Sequence, residues 1–239
     1  MTLERTKIRK RTHRLIASKH PTIGIFDDLT EDAEDLRVAF ILEAMSNDRF
    51  LLLKNRIDLI PNQEIASGAT ASLVMASFLH SNENGGRFNS GKLGAWYGSF
   101  DVQTAIAETF YHSDRRLRLS EGAFPSKIQV RELVANINLT LVDIRDKKTE
   151  LPDLYQKDPS SYQKSQQWAD ELRWPANQDS SPDEGVVFDS VRKEEGVNVC
   201  VFWPKGVSLP VNQGDHYEYN WDKEGNTQIL KLTNVEIEE

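Results

Sequence analysis

Apolar positions in the first third of the chain change from a strand-like to a helical spacing. Residues 13–29 (HRLIASKHPTIGIFDDL) predict a short strand followed by a loop. Thr30 then stands where it can cap a helix that runs to about Asn47, with acidic residues in its first turns. Residues 67–80 (SGATASLVMASFLH) predict a second helix, whose small side chains suit close packing against a neighbouring element.

Strand-like patterns dominate the chain from residue 95 onward, with two helical segments between them. AWYGSF (95–100) predicts a short aromatic strand, after which Asp101 caps a helix that begins VQTAIAETF. KIQVRELVANINLTLVDI (127–144) alternates over enough residues for one or two strands. Residues 159–172 (PSSYQKSQQWADEL) are predicted to be helical after the proline.

The C-terminal patterns complete a fold of the α+β class. VVFDSV (186–191) and NVCVFW (198–203) predict two strands joined by a charged turn, and residues 216–237 predict an antiparallel hairpin. Helices therefore cluster early and strands late, which indicates an N-terminal helical part laid against a sheet. No linker divides the chain, so we predict one domain over 1–239, with a flexible basic arm at 1–11, a strand and helical part at 12–82, a core at 83–222 and the end of the hairpin at 223–239.

Composition narrows the function classes. With 38% hydrophobic and 28% charged residues, the 239-residue chain is typical of a soluble globular protein. A net charge of −8 argues against a broad nucleic-acid-binding face. No apolar run approaches the ~20 residues of a membrane span, and no apolar segment follows the basic N-terminus as in a secretory signal. We therefore expect a cytoplasmic protein, in which residues 5–14 are either a solvated end or an arm that meets an acidic partner.

The sequence gives little support to a metal site or to a reactive cysteine. The five histidines show no HExxH or HxH spacing, and a single cysteine forms no zinc-finger pattern, so no metal site is predicted. Cys200 lies in the apolar run VNVCVFW, where a small buried residue is the favoured interpretation and a nucleophile the alternative.

The stretch NGGRFNSGKLGAWYGS (84–99) contains the spacing GxxxxGK of a phosphate-binding P-loop. A P-loop needs a strand before it and a helix after it that begins with Ser or Thr. Here the lead-in is polar, Leu93 follows Lys92, and two glycines and two aromatic residues oppose a helix. The dinucleotide-binding pattern GxGxxG is also absent. A P-loop phosphotransferase is therefore kept only as the weakest alternative.

Glu108 stands out on the helix that follows this stretch. At 100° per residue it lies about 140° from the middle of a stripe formed by Val102, Ile106, Thr109 and Phe110. It is therefore either an ordinary exposed glutamate or a ligand-facing one, for which small neighbours such as Ala105 leave room.

Three further residues carry candidate chemistry. Arg87 follows a diglycine that lets the backbone approach a ligand, and its guanidinium suits a phosphate or carboxylate, although a structural salt bridge is the competing interpretation. Tyr97, in a short strand, is either a core residue or a catalytic one. Ser190, in VVFDSVR, is either a site residue or an outward-facing strand residue.

Together the segments GGRFNS, WYGS, TAIAETFYH and GVVFDSVRKEEGVNVCVF resemble, in this order, the RES domain family, named for its Arg, Glu and Ser. The opening HRLIASKHPTIGIFDDL and the closing HYEYNWD resemble the usual start and end of the family, so the resemblance covers residues 12–222. By motif, Arg87, Glu108 and Ser190 match the residues that name the family. Tyr97 matches the aromatic residue ahead of the helix, and Arg14 the arginine near the N-terminus.

The resemblance implies a fold and an activity. The fold would be that of the ADP-ribosyltransferases and diphtheria-type toxins, with a mixed or antiparallel β core, flanking helices and, here, an N-terminal helical extension over residues 30–80. Members of the family act on NAD⁺, and most are toxins held inactive by a DNA-binding antitoxin of the Xre type. The resemblance therefore implies NAD⁺ as substrate, no metal, an Xre-type antitoxin as partner and a homodimer within a larger toxin–antitoxin complex, with no direct nucleic-acid contact and no membrane.

Roles for the site residues follow from the same resemblance. Glu108 would stabilise the positive charge that develops on the ribose as the nicotinamide–ribose bond breaks. Arg87 and Arg14 would bind the pyrophosphate, and Tyr97 would stack on the nicotinamide or ribose. Ser190 would either bond the nicotinamide ribose or hold the glutamate in place.

Several alternatives stay open at this point. Lys92 departs from the neutral residue expected at its position, and is either a contact to phosphate at the rim of the site or a solvated loop charge. The acceptor of the ADP-ribosyl group is water, phosphate or a protein side chain. A non-catalytic interaction module, using residues 5–14 and the C-terminal hairpin as contact surfaces, is the competing class of function.

Overall fold

The computed structural model describes residues 3–19, 38, 48–177 and 180–233. Within these residues the chain forms a seven-stranded sheet with flanking helices. The strands are β1 (Arg5–Ala17), β2 (Trp96–Ser99), β3 (Ser126–Asp143), β4 (Gly185–Asp189), β5 (Val197–Val201), β6 (Asn212–Trp221) and β7 (Thr227–Leu232). The α-helices are α1 (Asp48–Ile57), α2 (Ala71–Leu79), α3 (Val102–Arg118) and α4 (Gln163–Arg173), with 3-10 turns at Asn62–Glu64, Pro152–Tyr155, Pro159–Ser161 and Pro204–Gly206.

The sheet closes on itself through β1. Its strand order is β1-β2-β5-β4-β3-β6-β7, and β1 also pairs with β3, so five strands form a ring from which the β6–β7 hairpin extends. Among the described strands, only β3 and β4 pair in parallel, and every other pairing is antiparallel. This confirms the predicted α+β class with a mixed, mainly antiparallel core.

The N-terminal segment is a strand and not a free arm. β1 pairs with β3 over thirteen residues, from Arg5 with Val142 to Ala17 with Val130. Ile8 and Thr12 are buried on one face, whereas Lys7 and Arg9 on the other face are exposed. The prediction of a flexible basic arm at residues 1–11 is therefore wrong for residues 5–11, because the charges that suggested it alternate with buried positions of a strand.

The helices pack against the sheet as their sequences predict. α2 is almost entirely apolar and buries Val74, Met75 and Phe78 in the same cluster as Trp96 of β2. The side chain of Asp101 accepts a hydrogen bond from the Thr104 amide and so caps α3, as predicted. The predicted helix over residues 30–47 lies outside the described residues.

The remaining strand predictions are confirmed. Residues 126–143 form one long strand, β4 and β5 are joined by the charged turn, and β6 and β7 form the hairpin that turns at residues 223–226. Among the helices described, none combines the length and the apolar character needed to cross a bilayer.

Candidate functional site

A cavity of about 680 Å³ lies between α3, the strands β1 and β2, and the loop of residues 82–87. Its volume is in the range of small-molecule binding sites. Four of the six predicted site residues line it, namely Arg14, Arg87, Tyr97 and Glu108. Arg115 and Arg116, from the last turn of α3, line it as well. The N-terminal strand and the segment from residue 82 to the end of α3 therefore contribute to one predominantly cationic cavity.

Glu108 is held over this cavity by two donors. Its Oε1 accepts hydrogen bonds from Ser190 Oγ at 2.7 Å and from Asn198 Nδ2 at 2.7 Å. The side chain is half-buried, because Thr104 and Ala105, one turn earlier on the same face of α3, pack inward. The interpretation of Glu108 as an ordinary exposed glutamate is therefore wrong, and Oε2 is the oxygen that the two donors leave available.

Ser190 is a buried residue that holds the carboxylate of Glu108 in place. Its Oγ accepts hydrogen bonds from the backbone amides of Arg192 and Lys193, both at 3.0 Å, and donates its own hydrogen to Glu108. A serine hydroxyl has one hydrogen and two acceptor sites, so this hydroxyl is fully used. Ser190 is 2% exposed and is not among the cavity-lining residues. Two roles were predicted for Ser190, a bond to the nicotinamide ribose or support of Glu108. The geometry favours support of Glu108.

Asn198 was missed by the sequence reasoning. It is 4% exposed, donates to Glu108 and accepts a hydrogen bond from Ser99 Oγ at 2.6 Å. The three side chains therefore form a chain across β2, β5 and α3. A signal was present in the sequence, because an asparagine in the middle of the apolar strand VNVCV must find partners when it is buried.

Arg87 is a buried cation that forms no close ion pair with any described carboxylate, although Glu108 interacts with it electrostatically. Its Nη1 donates to the carbonyl oxygens of Gln156 at 2.6 Å and Leu154 at 3.2 Å, and its Nη2 donates to Tyr162 Oη at 3.1 Å. The guanidinium also stacks on the Tyr162 ring, 4.5 Å from its centroid. Burial lowers the pKa of the guanidinium. Because no described carboxylate forms an ion pair with it, the salt-bridge interpretation fails, and its remaining N–H groups are free to meet an anion.

Arg14 repeats this arrangement from β1. It is half-buried, its Nη1 donates to the Tyr97 carbonyl at 3.0 Å, and its guanidinium lies 5.2 Å from the centroid of the Trp96 ring. Its Nε is enclosed and has no hydrogen-bond partner among the described residues. Burial lowers its pKa to about 10, so it remains a cation at neutral pH. The cavity thus has two enclosed positive charges that no described carboxylate neutralises.

Tyr97 organises the glycine-rich loop. Its hydroxyl accepts a hydrogen bond from the Phe88 amide at 2.8 Å and donates to Asn89 Oδ1 at 2.9 Å. A Cβ at Gly86 would lie 2.7 Å from this hydroxyl, so only glycine lets the loop close over it. Enclosure raises the pKa of the phenol well above its ordinary value. The hydroxyl is therefore a structural group, whereas the ring lines the cavity and can contact a ligand.

Lys92 does not belong to the cavity. It is exposed and absent from the cavity wall, while Leu93 beside it is buried. The chain then continues into β2 and not into a helix, so the GxxxxGK spacing has no P-loop geometry. The assignment of Lys92 as a ligand contact is corrected, and the solvated loop charge is the interpretation that fits.

Cys200 is an inert core residue. It is completely buried in β5, and burial raises its pKa to about 12, which leaves almost no thiolate at neutral pH. The alternative of a nucleophilic cysteine therefore has no support.

The site thus consists of an oriented carboxylate above a cationic cavity. The profile of the RES domain family matches residues 63–222, which is most of the chain, and the protein belongs to this family. No curated protein matches the chain. Among solved structures the chain is similar to one described as the crystal structure of the M. tuberculosis MbcT–MbcA toxin–antitoxin complex. The identity is 13% over 96% of this chain and 87% of the other, with a TM-score of 0.42.

Proposed function

We propose that this RES-domain protein binds NAD⁺ in the cavity, cleaves its nicotinamide–ribose bond and so acts as a growth-inhibiting toxin. The observation that carries the proposal is the carboxylate of Glu108, fixed by Ser190 and Asn198 above a cavity with two unneutralised arginines. Membership of the RES family supports the same substrate, because the members of this family act on NAD⁺.

The arginines suit the charged part of the substrate. The pyrophosphate of NAD⁺ carries two negative charges, and Arg14 and Arg87 supply two enclosed positive charges without described carboxylate partners. An ion pair formed in such an enclosed site is screened less than one in bulk water. The two side chains would therefore hold the pyrophosphate and fix the direction in which the dinucleotide lies.

Glu108 supplies the electrostatic part of the chemistry. Nicotinamide leaves as a neutral molecule, so the reaction needs stabilisation of the ribose cation more than a strong acid. With Oε1 occupied by two hydrogen bonds, Oε2 is the oxygen that would face the developing charge. Because the donors are already in place, the carboxylate needs no reorganisation during the reaction.

The biological role would follow from loss of NAD⁺. A toxin of this kind requires a neutralising partner, and an Xre-type antitoxin that covers the mouth of the cavity is the partner that family membership implies. The exposed Leu119 and the cationic Arg116 at that mouth offer apolar and charged contacts to such a protein.

The test is release of nicotinamide from NAD⁺ by the purified protein, measured by chromatography with and without inorganic phosphate. Glu108→Gln keeps the shape of the side chain and removes its charge, and it should slow release on the order of 10²-fold. Glu121→Gln, an exposed position beyond the end of α3, is the matched control and should behave like the wild type. Wild-type protein that releases no nicotinamide, or a Glu108→Gln variant as fast as wild type, would contradict the proposal.

A further inference from the structure

A histidine–carboxylate pair stands in the cavity beside the residues already described. His13 of β1 lines the cavity, and its Nδ1 lies 2.5 Å from Oε1 of Glu132 on β3. The histidine side chain is 20% exposed and the glutamate side chain 7%. None of the roles described above uses either residue.

The pair defines which ring nitrogen can act as a base. Glu132 also accepts a hydrogen bond from the Asp215 amide at 3.0 Å through Oε2, so both of its oxygens act as acceptors. A carboxylate that accepts from Nδ1 places the imidazole hydrogen on Nδ1 and the lone pair of the neutral ring on Nε2. No hydrogen bond joins Nε2 of His13 to any of the described residues.

Strand register places this histidine in line with the glutamate site. His13 pairs with Ser99, and Ser99 pairs with Asn198, so the three side chains form a row on one face of β1, β2 and β5. Asn198 is the residue that donates to Glu108. Two strand spacings, roughly 10 Å, separate the backbone of His13 from that of Asn198. Asn198 contacts Glu108, and His13 and Glu108 both line the cavity, so a ligand in the cavity can lie between the histidine and the glutamate.

A bulge in β6 aims Glu132 at His13. The register of β3 and β6 shifts between Arg131 and Leu133, so β6 has one extra residue opposite Glu132. Gly214 lies in this bulge, and a Cβ there would come within 2.3 Å of Glu132 Oε2. The glycine therefore allows the backbone to pack directly against the carboxylate, which restricts its orientation.

We propose that His13 is the general base that activates the acceptor of the ADP-ribosyl group, and that Glu132 is its positioning residue. This inference rests on the proposed NAD⁺ cleavage. The bond between C1′ and the nicotinamide nitrogen breaks, and its electron pair leaves with nicotinamide. The acceptor oxygen bonds to C1′, and the acceptor's proton passes to His13 Nε2 and then to solvent.

The pair also selects the class of acceptor. Water or a hydroxyl group must lose a proton when its oxygen bonds to C1′, so a base at the point of attack accelerates the reaction. Inorganic phosphate is already an anion at neutral pH and needs no such help. A dedicated histidine therefore assigns the acceptor to water or a hydroxyl group, and the simplest product is free ADP-ribose.

The experiment compares His13→Gln with wild type in nicotinamide release, with and without sodium azide at high concentration. Azide attacks without losing a proton, so it bypasses a missing base and forms an ADP-ribosyl azide that mass spectrometry detects. We expect His13→Gln to lower release in water on the order of 10²-fold. Azide should restore release, whereas sodium chloride at the same ionic strength should not.

Two further variants separate catalysis from folding. Glu132→Gln should lower kcat at least about ten-fold with little change in KM, and azide should restore its rate as well. His216→Gln, on β6 and outside the cavity wall, is the matched histidine control and should keep the wild-type rate.

The outcomes distinguish this inference from the proposed function. Wild type that releases no nicotinamide overturns both. If wild type is active and Glu108→Gln is slow, His13→Gln at the wild-type rate overturns the general base alone. A slow His13→Gln variant that azide does not restore also overturns it, because a structural defect is not bypassed by a nucleophile.

Discussion

Arg14 and Arg173 are two enclosed arginines whose surroundings differ. Burial lowers the pKa of each to about 10, and neither forms an ion pair with a described carboxylate. Arg173 is 1% exposed and donates to the carbonyl oxygens of Gly94, at 2.8 Å, and Phe202. Its guanidinium lies 4.9–5.8 Å from the centroids of four aromatic rings, those of Phe78, Trp174, Phe202 and Trp203. Within the described residues Arg14 makes one hydrogen bond, and it faces the cavity.

The difference shows that an unneutralised buried charge does not by itself define a binding site. Two carbonyl oxygens and four aromatic rings surround Arg173, so this cation joins the loop before β2 to the end of β5, although its Nε, like that of Arg14, has no hydrogen-bond partner among the described residues. Among the described residues Arg14 has fewer such partners, one carbonyl oxygen and the Trp96 ring, and it borders the open cavity, where a ligand anion would supply another. The free space beside Arg14, and not the shift in pKa, is what distinguishes the two arginines.

The largest effect should come from Arg173→Met. The substitution leaves two buried carbonyl oxygens without a donor and opens space among aromatic rings, which should lower the free energy of unfolding by about 3 kcal/mol. Denaturant unfolding followed by circular dichroism measures it, with the exposed Arg9→Met as control. An unchanged free energy of unfolding would mean that Arg173 does not stabilise the fold.

Arg14→Met should change binding and not folding. Removal of an enclosed cation without a counter-charge costs little stability, so the unfolding midpoint should stay the same or rise. NAD⁺ affinity should fall about ten-fold or more, as expected for a lost charge-assisted hydrogen bond. Calorimetric titration of NAD⁺ measures the affinity. If the variant bound NAD⁺ as tightly as the wild type does, Arg14 would be a structural arginine like Arg173.

The smallest expected effect is on the alkylation rate of the Cys200 thiol, which reports on opening of the surrounding core. Cys200 interacts electrostatically with both arginines, and burial raises its pKa to about 12. The thiol should therefore resist iodoacetamide at pH 8 in wild type and in Arg14→Met, and become alkylated faster in Arg173→Met because that core opens more often. Mass spectrometry of the labelled protein measures this. Equal labelling of the two variants would show that both arginines stabilise the core alike.

Much of the fold was predictable from local patterns. The strands after residue 95, the Asp101 cap and the C-terminal hairpin follow from alternation and capping chemistry that act within a few residues. The N-terminal strand was misjudged, because its charged residues occupy one face, and the partner that buries the other face, β3, lies more than a hundred residues away. In the site, motif order pointed to Arg87, Glu108 and Ser190, whereas nothing in that order distinguished Lys92 from a true ligand contact.

By itself, the sequence determined the class of fold, the family and the residue types of the site, because spacing and side-chain chemistry are properties of the chain. Only the tertiary structure decided what each group does. Closure of the sheet through β1 brings Arg14 and His13 to the cavity that Glu108 also lines, and the fold places Asn198 where it donates to Glu108. The contacts of these residues reach far along the chain, and His13 and Glu132 are 119 positions apart. Whether a side chain borders open space, as Arg14 does, or is enclosed on all sides, as Arg173 is, is a property of those contacts alone.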